Sequence, residues 1–311
     1  MEIVSAIVPC YNEEKNVKLF FERINEAFAE LNYGLEIVFI NDGSKDNTLS
    51  ELKKLVDTDK CSIKVVTFSR NFGKEAAMYA GFNTCTGDYA VVIDADLQQD
   101  PFLIKDMLKV LEDDEDCDCV AFFQQARKEP ALLRFFKKSF YGIINKMSDV
   151  EFVNGASDFR IFRRCVVESI LSISEKNRFS KGIFSWVGFN THYLPYVANE
   201  RMYGESKWNF FKLFKYALSG IISFSTVPLK VATWLGTIFS MCSIVYFIVV
   251  FCQRLFVETP IPGYATMVCL ILLIGGIQLF CLGIIGEYLA RTYVESKNRP
   301  VYIIKKIYSN D

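Results

Sequence analysis

Two aspartates follow directly on an apolar run in the segment AVVIDADLQQDP, residues 90–101. Residues two apart in an extended chain point to the same side, so Asp94 and Asp96 can converge on one point just beyond a strand. Adjacent carboxylates repel each other unless a proton or a cation lies between them. A hard divalent cation such as Mg²⁺ or Mn²⁺ prefers oxygen ligands and commonly bridges carboxylates to substrate phosphates. The pair therefore predicts a metal and phosphate site. The alternative is that one acid caps the helix that begins near Pro101 while the other is solvated.

Short apolar runs alternate with longer amphipathic runs over residues 1–120, which predicts repeated βα units and a mainly parallel, Rossmann-like sheet. The strand candidates are IVSAIVP (3–9), EIVFIND (36–42), IKVVTFS (63–69) and YAVVIDA (89–95). The helix candidates are residues 13–31, 46–56, 75–85 and 100–113. No GxGxxG or Walker sequence follows a strand. The polar segments that follow strands are instead PCYNEE, NDGSKDNT and the loop with the two aspartates. Ligands bind at this carboxyl edge in open α/β sheets.

Two long charge-free runs dominate the last third of the chain, residues 231–252 and 263–286. As helices they would span roughly 33–36 Å each, enough to cross a bilayer. Lysines and arginines flank the pair on both outer sides, whereas the short link contains Arg254 as its one basic residue. This asymmetry predicts a transmembrane hairpin with both termini in the cytoplasm. The alternative is a pair of buried helices in a soluble protein.

The overall charge argues against a nucleic-acid partner, because 35 Lys+Arg nearly cancel 36 Asp+Glu. The ten cysteines are scattered without CxxC spacing, as in a protein of a reducing compartment.

Before the hairpin, residues 208–224 have an apolar side with lysines beside it, which predicts an amphipathic helix lying in the membrane interface. We therefore expect a catalytic domain over 1–205, a juxtamembrane helix over 206–228, the hairpin within 229–290 and a cytoplasmic tail over 291–311.

Five segments resemble, in order and approximate spacing, the inverting nucleotide-sugar transferases of the GT-A fold. They are VPCYNEEKN, NDGSKDNT, RNFGKEAA, DADLQ and RMYGESKW. The resemblance covers nearly the whole chain, including NGASDFRIF and the hairpin. Within this group the chain resembles the branch that uses polyprenyl phosphates, which comprises dolichyl-phosphate mannose synthases and undecaprenyl-phosphate glucosyltransferases of the GtrB type. The resemblance implies transfer of one sugar from a nucleotide sugar to a polyprenyl phosphate, with Mg²⁺ or Mn²⁺. It also implies a place in a bacterial inner or plasma membrane. UDP-glucose is the first expectation for the donor; UDP-N-acetylglucosamine, UDP-galactose derivatives and GDP-mannose stay open, as does a homo-oligomer.

The resemblance also implies roles for the residues at matching positions. The nucleotide-binding entry loop would be Pro9, Tyr11, Asn12 and Glu13. Asp42 would meet the base or ribose, Asp94 the nucleotide side, Asp96 the metal, and Gln98 the surroundings of metal and diphosphate. We thus take Asp94, Asp96 and Gln98 as the metal set. Glu13 can also be read as a first-turn helix charge.

Further residues would act in catalysis or meet phosphate. Asp158 in SDFR matches an acid of the catalytic centre, and Arg201, Ser206 and Lys207 match an RxxGxSK segment near the phosphates. Lys207 can also be read as a membrane-surface contact. Relatives usually carry an arginine where this chain has Gln124, so either Arg127 and Arg134 meet the acceptor phosphate or the acceptor is handled differently.

The expected reaction needs little proton chemistry, because a phosphate monoester is largely dianionic at neutral pH. Asp158 can then act as a base, or orient sugar or metal. Direct displacement would invert the anomeric centre. A processive polysaccharide synthase and a catalytically degenerate scaffold or binding protein are the competing hypotheses; the first lacks a QxxRW segment here, and the second is at odds with the complete DADLQ and RxxGxSK segments.

Overall fold

Four parallel strands form the centre of the sheet: β1 (Ile3–Cys10), β2 (Gly34–Asn41), β3 (Ser62–Phe68) and β4 (Tyr89–Val92). The computed structural model describes residues 1–58, 60–124, 142, 145, 153, 155–176, 178–196, 225–256 and 263–310. The four strands are buried almost throughout because helices cover both faces of the sheet, as expected for parallel strands. The four predicted strands are present in the predicted order along the chain. Strand β4 ends before the two aspartates, which lie in the loop that follows it.

The predicted helices alternate with these strands. They are α1 (Val17–Phe28), α2 (Thr48–Val56), α3 (Lys74–Thr84) and α4 (Ile104–Asp113), the last preceded by one 3-10 turn, Pro101–Leu103. The carboxylate of Asp100 accepts a hydrogen bond from the Phe102 N–H at 3.2 Å and so caps this turn. The cap belongs to Asp100, which leaves Asp94 and Asp96 to be explained in another way.

The second part of the sheet is mixed. It contains β5 (Cys119–Gln124), β6 (Ala156–Arg163), α5 (Arg164–Ser172), α6 (Ser180–Trp186) and β7 (Thr191–Tyr196). Strand β6 runs antiparallel to both β4 and β5, and β7 runs parallel to β5. The pairing of β6 with β4 brings Asp158 beside the loop that carries Asp94.

Two long apolar helices, α7 (Val227–Phe256) and α8 (Tyr264–Ser296), form the C-terminal hairpin. Each contains a stretch long and apolar enough to cross a membrane, Val227–Tyr246 in α7 and Leu273–Ser296 in α8. Large side chains on them are exposed, with Trp234 at 68% and Leu279 at 72%. Helices of a soluble core would bury such residues, so that alternative is wrong and a bilayer is the environment they fit. Helix α7 extends beyond the predicted run at both ends, and α8 extends beyond it at its C-terminal end.

The segment after the hairpin, which sequence analysis treated as a tail, contains one more strand, β8 (Ile304–Ser309). It pairs antiparallel with β3, Lys306 opposite Thr67 and Tyr308 opposite Val65. The strand order is therefore β7-β5-β6-β4-β1-β2-β3-β8. The pairing satisfies the backbone groups along the outer edge of β3, which would otherwise be open. The chain thus returns from the hairpin to the sheet in which it began.

A buried acid, Glu36, ties the sheet together at the edge opposite the aspartates. It accepts hydrogen bonds from the Ser5 hydroxyl, from Lys64 Nζ at 2.7 Å, and from the Thr86 N–H and hydroxyl at 2.8 and 2.9 Å. Burial raises the pKa of Glu36, but these donors outweigh burial and hold the pKa below its ordinary value. A lowered folded-state pKa means stabilisation that is present above the unfolded-state pKa and lost as pH falls through the folded-state pKa.

We expect Glu36→Gln to lower the free energy of unfolding by about 1–3 kcal/mol at pH 7, because one buried acceptor loses its charge and its full set of donors. The loss should be smaller at pH 3, below the ordinary pKa of a glutamate, because the stabilisation from the ionised carboxylate begins to be lost there. Thermal unfolding of the detergent-solubilised protein at both pH values measures the difference. Glu26→Gln is the matched control, since Glu26 is exposed on α1. An equal loss at both pH values would contradict the ionised network.

Candidate active site

Two loops meet at the carboxyl edge of the sheet, one after β1 and one after β2. The Asn12 N–H donates to Ser44 Oγ at 3.1 Å, and Asn12 Oδ1 accepts from the Lys45 N–H at 2.9 Å. The Glu13 N–H donates to Thr48 Oγ1 at 2.8 Å. Asn12 has φ 58°, in the left-handed region that asparagine tolerates better than most residues. The entry loop predicted from PCYNEE, including half-buried Pro9 and Tyr11, is thus held against the second loop.

The carboxylate of Asp42 points at the start of α3. It accepts hydrogen bonds from the Phe72 N–H at 2.6 Å and the Gly73 N–H at 2.9 Å, and Asp42 is 3% exposed. Burial raises the pKa of Asp42, and the two amides and Arg70 offset part of that effect. Asp42 therefore positions the turn that begins α3. Its contact with a nucleotide base or ribose stays a prediction.

Gly43 makes this packing feasible. Its φ is +63°, and a Cβ there would lie 2.4 Å from the Arg70 carbonyl carbon. A side chain would push the NDG turn away from the RNFG turn that opens α3.

A lysine joins two acids at the centre of the site. Lys74 Nζ lies 2.7 Å from Asp94 Oδ1, 2.8 Å from Asp94 Oδ2 and 3.2 Å from Asp158 Oδ2. Lys74 is the first residue of α3, so the turn held by Asp42 sets where its side chain begins. The RNFGKEAA motif alone predicts no role for Lys74. The signal was there: a lysine at a helix start, just after the carboxyl end of a strand.

Asp158 is ionised at neutral pH. Burial raises the pKa of Asp158, but Lys74, Lys181 and Arg160 together outweigh burial and lower it to about 2. Lys181, on α6, donates from Nζ to the Ala156 carbonyl at 2.9 Å, which holds it beside the same strand. A carboxylate with such a low pKa is a weak proton acceptor. Between the two roles left open for Asp158, the electrostatics favour orientation over base catalysis.

The loop after β4 divides the two aspartates between different partners. Asp94 pairs with Lys74, whereas Asp96 Oδ1 accepts from the Gln98 N–H at 3.2 Å in a turn where Leu97 has φ 56°. Gln99 Oε1 accepts from the Asp94 N–H at 3.2 Å, and its Nε2 lies 3.3 Å from Ser157 Oγ. Asp96 and Gln98 therefore share one turn, with Asp94 turned toward the lysine.

The predicted metal set is divided by these contacts, because Asp94 pairs with Lys74 whereas Asp96 shares a turn with Gln98. Within the described residues, no group of three or more His, Cys, Asp or Glu side chains is placed to hold a metal ion. Asp96 and the neighbouring amide are hard oxygen donors, and Mg²⁺ commonly takes one or two carboxylates and completes its shell with phosphate oxygens and water. Asp96 and Gln98 therefore fit a divalent ion whose remaining ligands are diphosphate oxygens and water.

Several predicted residues lie outside the described part of the chain: Arg127, Arg134, Arg201, Ser206 and Lys207, together with the interfacial helix expected over 208–224. Gln124 is the last residue of β5 and pairs with Tyr196.

The Rossmann-like sheet, the acidic carboxyl edge with its central lysine and the exposed apolar hairpin together define a membrane-associated glycosyltransferase of the GT-A fold. Residues 5–171 match the Glycosyl transferase family 2 model, and residues 227–292 match the GtrB C-terminal hairpin. The chain belongs to glycosyl transferase family 2 and carries a hairpin of the GtrB type between its catalytic domain and β8. The expectation of that family from sequence motifs is confirmed.

Relatives are similar over almost their full length. The glycosyltransferase CsbB of Bacillus subtilis (strain 168) is 43% identical, and the match covers 98% of this chain and 92% of the CsbB chain. The SfII prophage-derived bactoprenol glucosyl transferase of Shigella flexneri is 41% identical over 97% of each chain. Among solved structures, glucosyl-3-phosphoglycerate synthase from Mycobacterium tuberculosis with Mn²⁺, UDP-glucose and phosphoglyceric acid is 16% identical. It has a TM-score of 0.46 and covers 71% of this chain and 78% of its own, a likeness too distant to assign function.

Proposed function

We propose that this enzyme transfers one sugar, glucose first among the candidates, from a UDP-sugar to a polyprenyl phosphate in the membrane, with inversion. The observation that carries the proposal is the combination, in one chain, of the Lys74–Asp94–Asp158 cluster with an exposed apolar hairpin. A water-soluble acceptor would not require the enzyme to carry a membrane hairpin. The full-length similarity to a bactoprenol glucosyl transferase supports the same substrate class.

Asp96 and the neighbouring Gln98 are the residues we propose to hold Mg²⁺ or Mn²⁺. Bound there, the cation would neutralise negative charge that develops on the departing nucleotide. Asp42 and the loop of Asn12 and Glu13 would position the nucleoside end, because both loops lie at the same edge of the sheet. Arg201 and Lys207 are retained as proposed phosphate contacts.

The acceptor phosphate needs positive charge more than it needs a base, since its second pKa is near ~6. Lys74, Lys181 and Arg160 are described cations that act on Asp158. We propose that the two lysines offset repulsion between the acceptor phosphate and the acids. Asp158, kept ionised by the same lysines, would orient Lys74. Retention of configuration would require a carboxylate nucleophile, and Asp94 and Asp158 both face Lys74. These contacts support direct displacement.

The proposed topology has both termini in the cytoplasm. Basic residues favour the cytoplasmic side of a membrane. Lys230 lies near the start of α7, and Arg291 and Lys297 lie near the end of α8. The basic residue near the link between the two helices is Arg254. The pairing of β8 with β3 supports one side of the membrane for both ends of the hairpin. A polyprenyl tail leaves the bilayer at a cost of about 0.8 kcal/mol per CH₂, so the catalytic edge must work at the headgroup level.

We expect the purified protein in vesicles to make a single-sugar polyprenyl phosphate from undecaprenyl phosphate, UDP-glucose and Mg²⁺. Product formation should cease with EDTA and return with excess Mg²⁺ or Mn²⁺. Mass spectrometry of the lipid product identifies the sugar, and a panel of nucleotide sugars tested for a rise in melting temperature identifies the donor. A polymeric product would instead identify a processive synthase. Donor binding without turnover on any polyprenyl phosphate would overturn the proposed activity and favour a binding protein.

A further inference from the structure

The last turn of α8 is bonded directly to the catalytic domain. The Lys176 N–H donates to Glu295 Oε1 at 2.9 Å. Lys176 Nζ donates to the Glu295 carbonyl and to Asn298 Oδ1, both at 2.9 Å. Asn298 has φ 48° and lies where the chain leaves the helix toward β8. Three hydrogen bonds therefore join the end of the second membrane helix to the segment that precedes α6.

Aromatic contacts continue this junction onto α3. Tyr302, just before β8, stacks on Phe68 with ring centroids 5.0 Å apart and contacts Tyr79 edge-on at 6.1 Å. The Arg178 guanidinium lies 4.0 Å from the Tyr79 ring centroid and donates to the Ile173 carbonyl at 2.8 Å. Tyr79, on α3, is thus contacted both from the segment after α8 and from the segment that holds Glu295.

The first turn of α3 is fixed by the same neighbourhood. The Glu75 carboxylate accepts from the Ser180 N–H at 2.9 Å and from the Ser180 hydroxyl. Ser180 begins α6, close in sequence to Arg178 and Lys176. Helix α3 is therefore held at Glu75 and at Tyr79, and it carries Lys74 toward Asp94 and Asp158.

We infer that residues 295–302, the exit segment of α8, are a positioning element that sets the height and orientation of the catalytic centre over the bilayer through α3. The inference rests on the proposed function, because only an acceptor retained in the membrane has its phosphate at a fixed depth. Internal bonds of the catalytic domain, such as those from Asp42 and Ser180, hold α3 within the domain. The exit segment holds the domain relative to the hairpin.

The test is Glu295→Ala in the full-length protein, assayed with two acceptors. With undecaprenyl phosphate in vesicles, kcat/KM should fall about tenfold, since a misplacement of even 1 Å can cost up to about 100-fold. With a short-chain, water-soluble polyprenyl phosphate, kcat/KM should stay within about twofold, because that acceptor can follow the site. The rise in melting temperature with UDP-glucose and Mg²⁺ should be unchanged.

Two variants separate positioning from general damage. Glu295→Gln keeps the oxygen that accepts from the Lys176 N–H and should retain most activity on the vesicle acceptor. Glu287→Ala, on the same helix, removes an acid that pairs with Arg291 and should behave as the parent protein. If Glu295→Ala does not fold, Lys176→Met removes the Nζ bonds and carries the same expectation.

Equal losses on both acceptors, or no loss on the vesicle acceptor, would overturn the inference while the parent enzyme remains active. A parent protein inactive on both acceptors would overturn the proposed function and the inference together.

Discussion

Replacing Asp94 and Asp96 together by asparagine is expected to lower kcat for sugar transfer by about 10³-fold or more. The double change removes the negative charge proposed to hold the divalent cation and leaves Lys74 facing only Asp158. Asparagine is nearly the same size, so the effect should arise from charge and not from packing. Transfer of labelled sugar to undecaprenyl phosphate, measured over a range of Mg²⁺ concentrations, gives kcat and the concentration needed for half-activity.

The single variants should differ, because the two acids have different partners. Asp96→Asn should mainly raise the Mg²⁺ concentration required, whereas Asp94→Asn should mainly lower kcat at saturating Mg²⁺ by disturbing Lys74. Asp100→Asn is the matched control: it lies in the same loop, caps the Pro101–Leu103 turn and pairs with Arg23 at 3.1 Å. Asparagine can still cap that turn. A double variant with parent activity would remove the basis for a metal-assisted departure of the nucleotide.

Lys74→Met is expected to lower kcat by about 10²-fold, the usual cost of removing one charged or hydrogen-bonding group from a transition-state contact. Methionine fills a similar volume without the ammonium group, so Asp94 and Asp158 lose their shared partner. Lys74→Arg keeps the charge and should retain more activity than Lys74→Met. Lys54→Met, at an exposed position on α2, is the control. Unchanged kcat in Lys74→Met would show that the lysine serves neither substrate nor acids.

The same variant has a pH signature. In the parent protein the pKa of Asp158 is lowered to about 2, so the stabilisation from its ionised form is present above its unfolded-state pKa and is lost as pH falls toward 2. Without Lys74, burial should raise the pKa of Asp158. The loss of melting temperature in Lys74→Met should therefore be large at pH 7 and shrink toward pH 3. A loss independent of pH would indicate that packing, and not charge, is what Lys74 contributes.

Sequence patterns were sufficient where the decisive interactions are local. The alternation of strands and helices through α4 follows from the periodicity of apolar residues, and the hairpin follows from two charge-free runs. The acidic edge follows from the rule that parallel strands end together.

Interactions between distant segments were not predictable in this way. Lys74 meets Asp94 and Asp158, which come from different loops and strands, and no spacing in the sequence relates them. Asp42 was placed at the correct edge, but its direction toward the Phe72 and Gly73 amides depends on how two turns pack. Strand β8 was missed because IKKIYS is short and carries two lysines, as edge strands often do, so that it resembles a polar tail.

The position of β8 has a consequence for how the protein is made in the cell. Thr67 is synthesised early and its partner Lys306 only after both hairpin helices, so the outer edge of β3 stays open while the hairpin is being inserted. A chain whose hairpin inserts with one crossing leaves β8 across the lipid from its partner strand. Such a chain keeps an unpaired strand edge, the kind of surface that chaperones and proteases act on. Closure of the sheet between β3 and β8 therefore requires that both outer ends of the hairpin lie on the same side of the bilayer.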